Sequence, residues 1–324
     1  VSGTTIISIR GLVVNYYTFG GVIKALRDVD LDINHGESIC IVGESGSGKS
    51  TLAQTIAMIL PQNAVVERGS IIYDSVDILR SSSLDVLARV RRDIGMVFQD
   101  PATSFSPLFP IKQQFVDVLS EVLKVTPEEA LRISREALKN ARLIEVERVL
   151  NSYPHELSGG MLQRASIALA LAKKPKVLIA DEPTTNLDVT TQAEILDLIK
   201  VLKREYGLTL IMITHNFGVA AHVCDRVVVM YAGMIFEDGP TRQVLDNPLH
   251  PYTRGLLMAI PRMGRSLTPI PGFPPDPREV FEGCPFYGRC NSARGECSTQ
   301  KPPRVVLGER TVHCHLYWGS QWKS

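Results

Sequence analysis

The chain has 324 residues, 44% hydrophobic and 21% charged. That length suits one large domain with an appendage, or two smaller domains. Its 35 basic and 34 acidic residues are nearly balanced and include no basic block, which argues against a protein that holds nucleic acid by charge. The longest apolar runs, such as Val227 to Met230 and Val177 to Ala180, fall far short of the roughly 20 residues that span a bilayer, and Val1 to Arg10 lacks the pattern of a signal peptide, so the expectation is a soluble, cytoplasmic, globular chain.

Up to about residue 240, short apolar runs alternate with longer helical patterns. The runs Ile6 to Val13, Ser38 to Val42, Ile94 to Phe98, Val177 to Ala180, Leu210 to Thr214 and Val227 to Met230 read as strands. Runs with as little alternation as VLIAD and LIMIT suit parallel strands covered on both faces, so the predicted fold class is α/β. The segment from Gln99 to Glu156 is mostly helix and loop and reads as a helical insertion. Within it Thr126-Pro127-Glu128-Glu129 has a capping threonine, a first-turn proline and a glutamate three residues after the cap, predicting a helix towards Leu143 with Leu131, Ala137, Leu138 and Ala141 inward. Ser158 and Asp188 cap further helices, through Ala172 and Arg204. No internal repeat is visible.

The second strand runs into Gly43-Glu44-Ser45-Gly46-Ser47-Gly48-Lys49-Ser50-Thr51, and a helical stretch follows. This is the phosphate-binding G-x-x-x-x-G-K-[ST] pattern in its strand–loop–helix context. Glycines let the loop curl so that backbone N–H groups face phosphate oxygens; Lys49 reaches the β- and γ-phosphates, and the Ser50 hydroxyl can ligate Mg²⁺. Leu157 to Arg164 places Ser158, Gly159 and Gly160 at a helix start, with Gln163 one turn on: a second anion-binding arrangement. Two such half-sites in one chain suggest head-to-tail assembly. The strand VLIA ends in Asp181 and Glu182, one acid suited to Mg²⁺ and the next to polarising an attacking water.

Twelve of the twenty prolines lie from Pro240 to Pro303, and periodic patterning fades there. Pro261 to Glu282 reads as an extended, proline-stiffened linker. It leads to Cys284, Cys290, Cys297 and Cys314, four of the six cysteines; Cys40 and Cys224 stand alone and read as small core residues. Phe281, Phe286, Tyr287, Tyr317 and Trp318 bracket the cysteines, enough for a small packed cap. In a reducing compartment such clustering points to metal. The tight knuckles of structural zinc are missing, and four widely spaced thiolates are compatible with a [4Fe–4S] cluster. His313 and His315 keep a mixed zinc site open, as do disulfides or free thiols.

The P-loop, Gln99, LSGGMLQR, LIADEPTTNLD and His215 occur in an order and spacing that resembles the nucleotide-binding subunits of ATP-binding cassette (ABC) transporters, over about residues 5–240. YPHELSGGMLQR, QDPATSFSP, DRVVVMYAG, NPLHPYTRGLL and PIPGFPPDP followed by GCPFYGRC are similar to the dipeptide/oligopeptide importer branch, whose extension ends in four cysteines. The resemblance implies an ABC ATP-binding domain at residues 1–240, with a helical subdomain at about 100–172, and an extension at 241–324 with its cap at about 283–318. It implies ATP and Mg²⁺ as ligands, and leans towards iron–sulfur over zinc in the cap.

By the same resemblance Tyr16 stacks on adenine, with Tyr17 as the fallback, and Gln99 links Mg²⁺ to the transmembrane partner. Asp181 helps hold the Mg²⁺. Glu182, His215 and Lys49 are catalytic, and Asp188 communicates across a dimer. Ser158, Gly159, Gly160 and Gln163 close a partner's ATP site. The partners implied are a second ATPase subunit, either a paralogue or a second copy, two permeases, and indirectly an extracellular solute-binding protein, with the chain peripheral on the cytoplasmic face of the membrane. Hydrolysis would part the dimer and drive the permeases through the helical insertion. Peptides are the implied cargo; oligosaccharides or nickel, and a non-transport ABC ATPase, are the alternatives. Against the last, the stretch between P-loop and signature has no heptads and the chain carries one cassette. Four departures are visible: Asn186, Leu162, Asn216-Phe217 and Phe105-Ser106-Pro107 replace commoner residues of the family.

Overall fold

The computed structural model describes residues 4–260 and 269–319. The first three residues of the amino-terminal stretch and residues 261–268 of the expected linker lie outside them. In chain order the elements are β1 (Thr5–Thr18), β2 (Gly21–Asn34), β3 (Ser38–Val42), α1 (Lys49–Ile56), β4 (Ala64–Tyr73), β5 (Val76–Asp77), α2 (Leu84–Asp93), β6 (Ile94–Val97), α3 (Ile111–Leu123), α4 (Pro127–Asn140), α5 (Val146–Asn151) and α6 (Gly159–Ala172). They continue with β7 (Val177–Asp181), α7 (Val189–Tyr206), β8 (Thr209–Thr214), α8 (Phe217–Val223), β9 (Arg226–Tyr231), β10 (Met234–Pro240), α9 (Thr241–Asp246), α10 (Pro251–Met258), α11 (Glu296–Thr299), β11 (Arg304–Leu307) and β12 (Arg310–His313). The chain divides into two compact units, one of Val1–Ile33, Ser38–Leu79 and Thr214–Ser324, the other of Asn34–Glu37 and Arg80–Ile213.

In the first unit β1 is antiparallel to β4, in a sheet ordered β2-β1-β4-β5. β3 lies parallel to β9, with Cys40 opposite Val227, and β10 and β12 continue antiparallel from β9. Every residue of β3 is buried, as expected for a strand covered on both faces. The extension is not a separate body: β11 and β12 form a hairpin whose β12 adds to β10, with Glu237 opposite Val312. Residues 269–282 contain no helix or strand, as the prolines require. They are nonetheless ordered against β2, where Lys24 N donates to Pro277 O at 3.0 Å and Arg27 donates to Pro277 O and Glu279 O.

Cys40 and Cys224 do not stand alone. They form a disulfide, with Cα atoms 5.7 Å apart. Cys224 ends α8 just ahead of β9, and β9 runs beside β3, so the topology brings together two cysteines that are far apart in sequence.

In the second unit β6, β7 and β8 are parallel neighbours, with Val177 opposite both Ile94 and Thr209. The helical insertion is present. Thr126 caps α4 by accepting from Glu129 N, and the inward face is Ala130, Ser134, Ala137 and Leu138, with the Ser134 hydroxyl satisfied by Ala130 O at 2.7 Å. α7 starts at its Asp188 cap and stops at Gly207, whose φ of 62° is left-handed. No helix among the described residues is long and apolar enough to cross a membrane.

Candidate nucleotide-binding elements and cysteine cap

The phosphate loop joins β3 to α1, which begins at Lys49. Gly48 is the cap at φ 98°, and a Cβ there would sit 2.5 Å from Ala25 O, so only glycine fits. A Cβ on Gly43 would meet Met230 O at 2.2 Å. Lys49 is buried, and its Nζ donates to Gly43 O and Glu44 O, both at 2.9 Å. Ser47 is buried, while Ser45 and Gly46 form an exposed tip. The Tyr16 hydroxyl lies 3.2 Å from Thr51 Oγ1, which puts that ring beside α1; Tyr17 points away, bonding Glu67 from a half-exposed position. Glu44 is held from both ends: its N–H donates to the Tyr252 hydroxyl at 2.9 Å, and its carboxylate accepts two bonds from Arg289, at 2.7 and 3.0 Å.

In the second unit the wholly buried β7 delivers Asp181 at its end. Glu182 follows at φ 43°, a conformation costing a non-glycine residue on the order of 1–3 kcal/mol, which places it at a strained, deliberate turn. Its N–H bonds Ile213 O, and its carboxylate accepts from Thr185 Oγ1 at 3.1 Å and, at 3.4 Å, from Gln99 Nε2. The structure thus brings Gln99 to Glu182. Ser158 caps α6 by accepting from Met161 N, and Ser158 and Gly159 are exposed. A Cβ on Gly160 would lie 2.9 Å from Thr191 Cγ2, so this glycine lets α6 approach the start of α7. Gln163 differs from its sequence placement: at 1% exposure it faces the interior and does not share the open surface of Ser158 and Gly159. Asp188 accepts from Thr191 N at 3.0 Å and from its hydroxyl at 2.6 Å, and these bonds hold its carboxyl below the usual range. His215, which belongs to the first unit, is exposed ahead of α8, which is capped by Asn216.

In the cap, Cys284, Cys290, Cys297 and Cys314 are free thiols, Cys314 buried and the others half-buried. Burial pushes Cys284 up to about 12 and Cys314 up to about 11, and each feels the charges of Cys290 and Cys297, so the four sulfurs share one neighbourhood. Cys284 N donates to Cys297 O at 2.8 Å, an approach that only Gly283 permits: a Cβ there would meet Cys297 O at 2.3 Å. The side-chain geometry lends the expected metal centre no support. Among the described residues no three His, Cys, Asp or Glu side chains are close enough to hold a metal ion. His315, half of the mixed-zinc alternative, instead bonds Gln300 O at 3.0 Å.

The ABC transporter family profile matches residues 26–185, and a profile described as the carboxyl-terminal region of oligopeptide/dipeptide transporters matches residues 236–297. The dipeptide transport ATP-binding protein DppD of Bacillus subtilis is 41% identical over 316 residues, covering 96% of this chain and 94% of its own length. The oligopeptide transport ATP-binding protein OppD of the same organism is 42% identical, over 94% of this chain and 87% of its own. The chain belongs to the ATP-binding subunits of the oligopeptide/dipeptide ABC transporter family. A solved structure titled as a dimeric post-hydrolysis state of the ATP-binding cassette MJ0796 with ADP and Pi matches with a TM-score of 0.64 at 33% identity, over 73% of this chain and 99% of that one. This ABC subunit therefore has the cassette fold and is an ATPase coupled to transport.

The departures from the ABC pattern have local reasons. Asn186 takes φ 66°, a conformation asparagine tolerates better than alanine, and Asn216 caps α8 by accepting from Gly218 N at 2.8 Å. Phe105 is buried in a stack on Phe115 with centroids 6.3 Å apart, and Leu162 is buried on α6. Sequence spacing does not point to Tyr252 or Arg289: each lies over 200 positions from Glu44, and no spacing rule joins them.

Proposed function

We propose that this subunit binds ATP with Mg²⁺ at its phosphate loop and hydrolyses it to power import of dipeptides or oligopeptides. The observation that carries the reading is the loop itself: a glycine-capped α1 with Lys49 curled over two loop carbonyls, a form suited to phosphate. Cargo is inferred from the printed names of the relatives, which concern peptide transport. Oxygen donors at Ser50, Gln99 and Asp181 suit Mg²⁺, which when bound would neutralise charge on the transferred phosphoryl group.

On this reading Lys49 and the amides from Gly43 to Thr51 bind and orient the β- and γ-phosphates, and Tyr16 offers its ring to adenine. Glu182 orients or deprotonates the attacking water, and the Gln99 and Thr185 bonds hold its carboxylate for that task. His215 contacts the γ-phosphate. The start of α6 at Ser158, Gly159 and Gly160, with Ser158 and Gly159 exposed, closes the site of a second ATPase subunit, and Asp188 acts in the same crossing contact. Exposed Leu84, Leu108 and Phe109 in the second unit offer the apolar surface that a permease would cover, at the cytoplasmic face of the membrane.

The cap is read as a [4Fe–4S] site held by Cys284, Cys290, Cys297 and Cys314. The donor set suits such a group: all four cysteines are free thiols in one small cap, where Cys284 N donates to Cys297 O at 2.8 Å, and their wide sequence spacing lacks the tight knuckles of structural zinc. About four irons and four sulfides in anaerobically purified protein, lost in Cys297→Ser, would bear this out, while one zinc without sulfide would refute it. For the transport reading, Glu182→Gln should stop turnover while retaining ATP and stabilising a nucleotide-bound dimer. Stimulation of the permease complex by oligosaccharide but not by peptide would overturn the cargo.

A further inference from the structure

A phosphate-binding loop gains from positive potential, yet this one carries a carboxylate at its second position. Glu44 is about a quarter exposed, and its backbone carbonyl is one of the two gripped by Lys49. Left alone, that negative charge would oppose a triphosphate. Arg289 answers it. The guanidinium is buried, sits in the short turn just before Cys290, and meets Glu44 as a two-pronged fork. Two further donors are engaged, by the Tyr231 hydroxyl at 3.1 Å and Pro271 O at 2.8 Å, and it lies 5.7 Å and 5.9 Å from the Tyr231 and Phe286 ring centroids. Arg289 therefore has one fixed place. Behind Glu44, the Tyr252 hydroxyl fixes the backbone N–H, and Ser47 N returns to Glu44 O at 3.2 Å.

We infer that Arg289 is a positioning residue of the nucleotide site: reaching from the cysteine cap, it neutralises and fixes Glu44, so that the phosphate loop stays shaped and electrostatically open to a triphosphate. The extension is then part of the ATP-binding apparatus through one ion pair. This rests on the reading of the loop as the ATP site.

The test measures ATP affinity and ATPase kinetics of the full chain for Arg289→Met, Arg289→Lys, Glu44→Gln and the Arg289→Met/Glu44→Gln double variant, with thermal melts confirming folding. Arg289→Met, which leaves an unanswered carboxylate in the loop, should raise the dissociation constant and KM for ATP about tenfold while kcat changes less than about threefold. Removing that carboxylate as well should bring the double variant back to within about threefold of wild type, and added salt should shrink the Arg289→Met defect. Arg289→Lys, which keeps the charge but loses the fork, should fall between. A merely structural arginine would not be rescued by losing its partner, so a double variant as weak as Arg289→Met overturns the inference. So does an Arg289→Met variant that binds ATP like wild type. Should Arg289→Met fail to fold, Arg289→Lys and the double variant decide the matter in the same way. Wild-type protein that binds no ATP would instead refute the functional reading on which the inference stands.

Discussion

Arg289 and Arg310 both reach from the extension to a glutamate of the α/β core, but the two carboxylates live in different surroundings. Glu237 is wholly buried; besides the Arg310 bond it accepts from Leu249 N and His250 N, each at 2.9 Å, and Arg310 also donates to Asn247 O at 2.7 Å. Its hydrogen-bonding capacity is spent inside the protein. Glu44 is partly open and sits on a loop built for an outside ligand. The same chemistry serves as a rivet where solvent is absent and as a charge-setting device where it is present. Burial of the acid distinguishes the two cases better than the ion pair itself does.

The largest effect should come from neither pair. Glu182→Gln is expected to lower the hydrolysis rate by roughly 10²–10⁴ while leaving the urea midpoint unchanged, which separates a reacting group from both arginines. A variant that hydrolyses ATP normally would remove Glu182 from the mechanism. Next, Arg310→Met should cost about 3–5 kcal/mol of folding stability, because it strands the buried Glu237; KM for ATP in the folded fraction should not move. A loss below about 1 kcal/mol in urea titration would abolish the contrast.

Acid should act on the Arg310 side first. His250 is buried beside Glu237, stacked on Phe236 at 4.3 Å and near Phe286, with its Nδ1 accepting from Tyr252 N. Burial, helped by the positive charges of His313 and Arg254, pushes it down to about 3. The unfolded chain takes up that proton near pH 6.5 and the folded chain does not. The stability linked to neutral His250 is therefore complete above pH 6.5 and is lost as pH falls towards about 3. Urea midpoints at pH 7 and pH 4.5 should differ, less so in His250→Gln; equal slopes in both proteins would count against this assignment. The smallest effect is a baseline: Thr126→Ala removes the α4 cap in the other unit, at about 1 kcal/mol and with no change in ATP affinity. A shift in affinity there would mean that lost stability alone can imitate the Arg289 phenotype.

What could be read from the sequence depended on how far apart cooperating residues lie. The phosphate loop, the Ser158 and Asp188 caps and the acids ending β7 are local patterns, and each stands where its spacing put it. β2 is absent from the strand candidates, although its alternation at Val29, Leu31 and Ile33 is a usable signal. The β11–β12 hairpin was hidden by strands of four residues, too short for periodicity to speak. The Cys40–Cys224 bond and the grip of Arg289 and Tyr252 on Glu44 are long-range and become visible only once β3, β9 and the extension are in place. Gln163 stands beside the signature residues in sequence, but its position on α6 turns it inward.

The hairpin's position has a consequence for self-association. A strand at the end of a sheet offers a row of unpaired backbone groups to any other chain, and β10 would be such a strand if β12 did not lie along it. In place of β10 the outermost strand becomes β11, four residues long and bearing Arg304. Both brevity and charge discourage pairing with another chain. Shortening the protein ahead of residue 304 would bare the flank of β10, strand Glu237 without its arginine, and convert a guarded border into a template for aggregation.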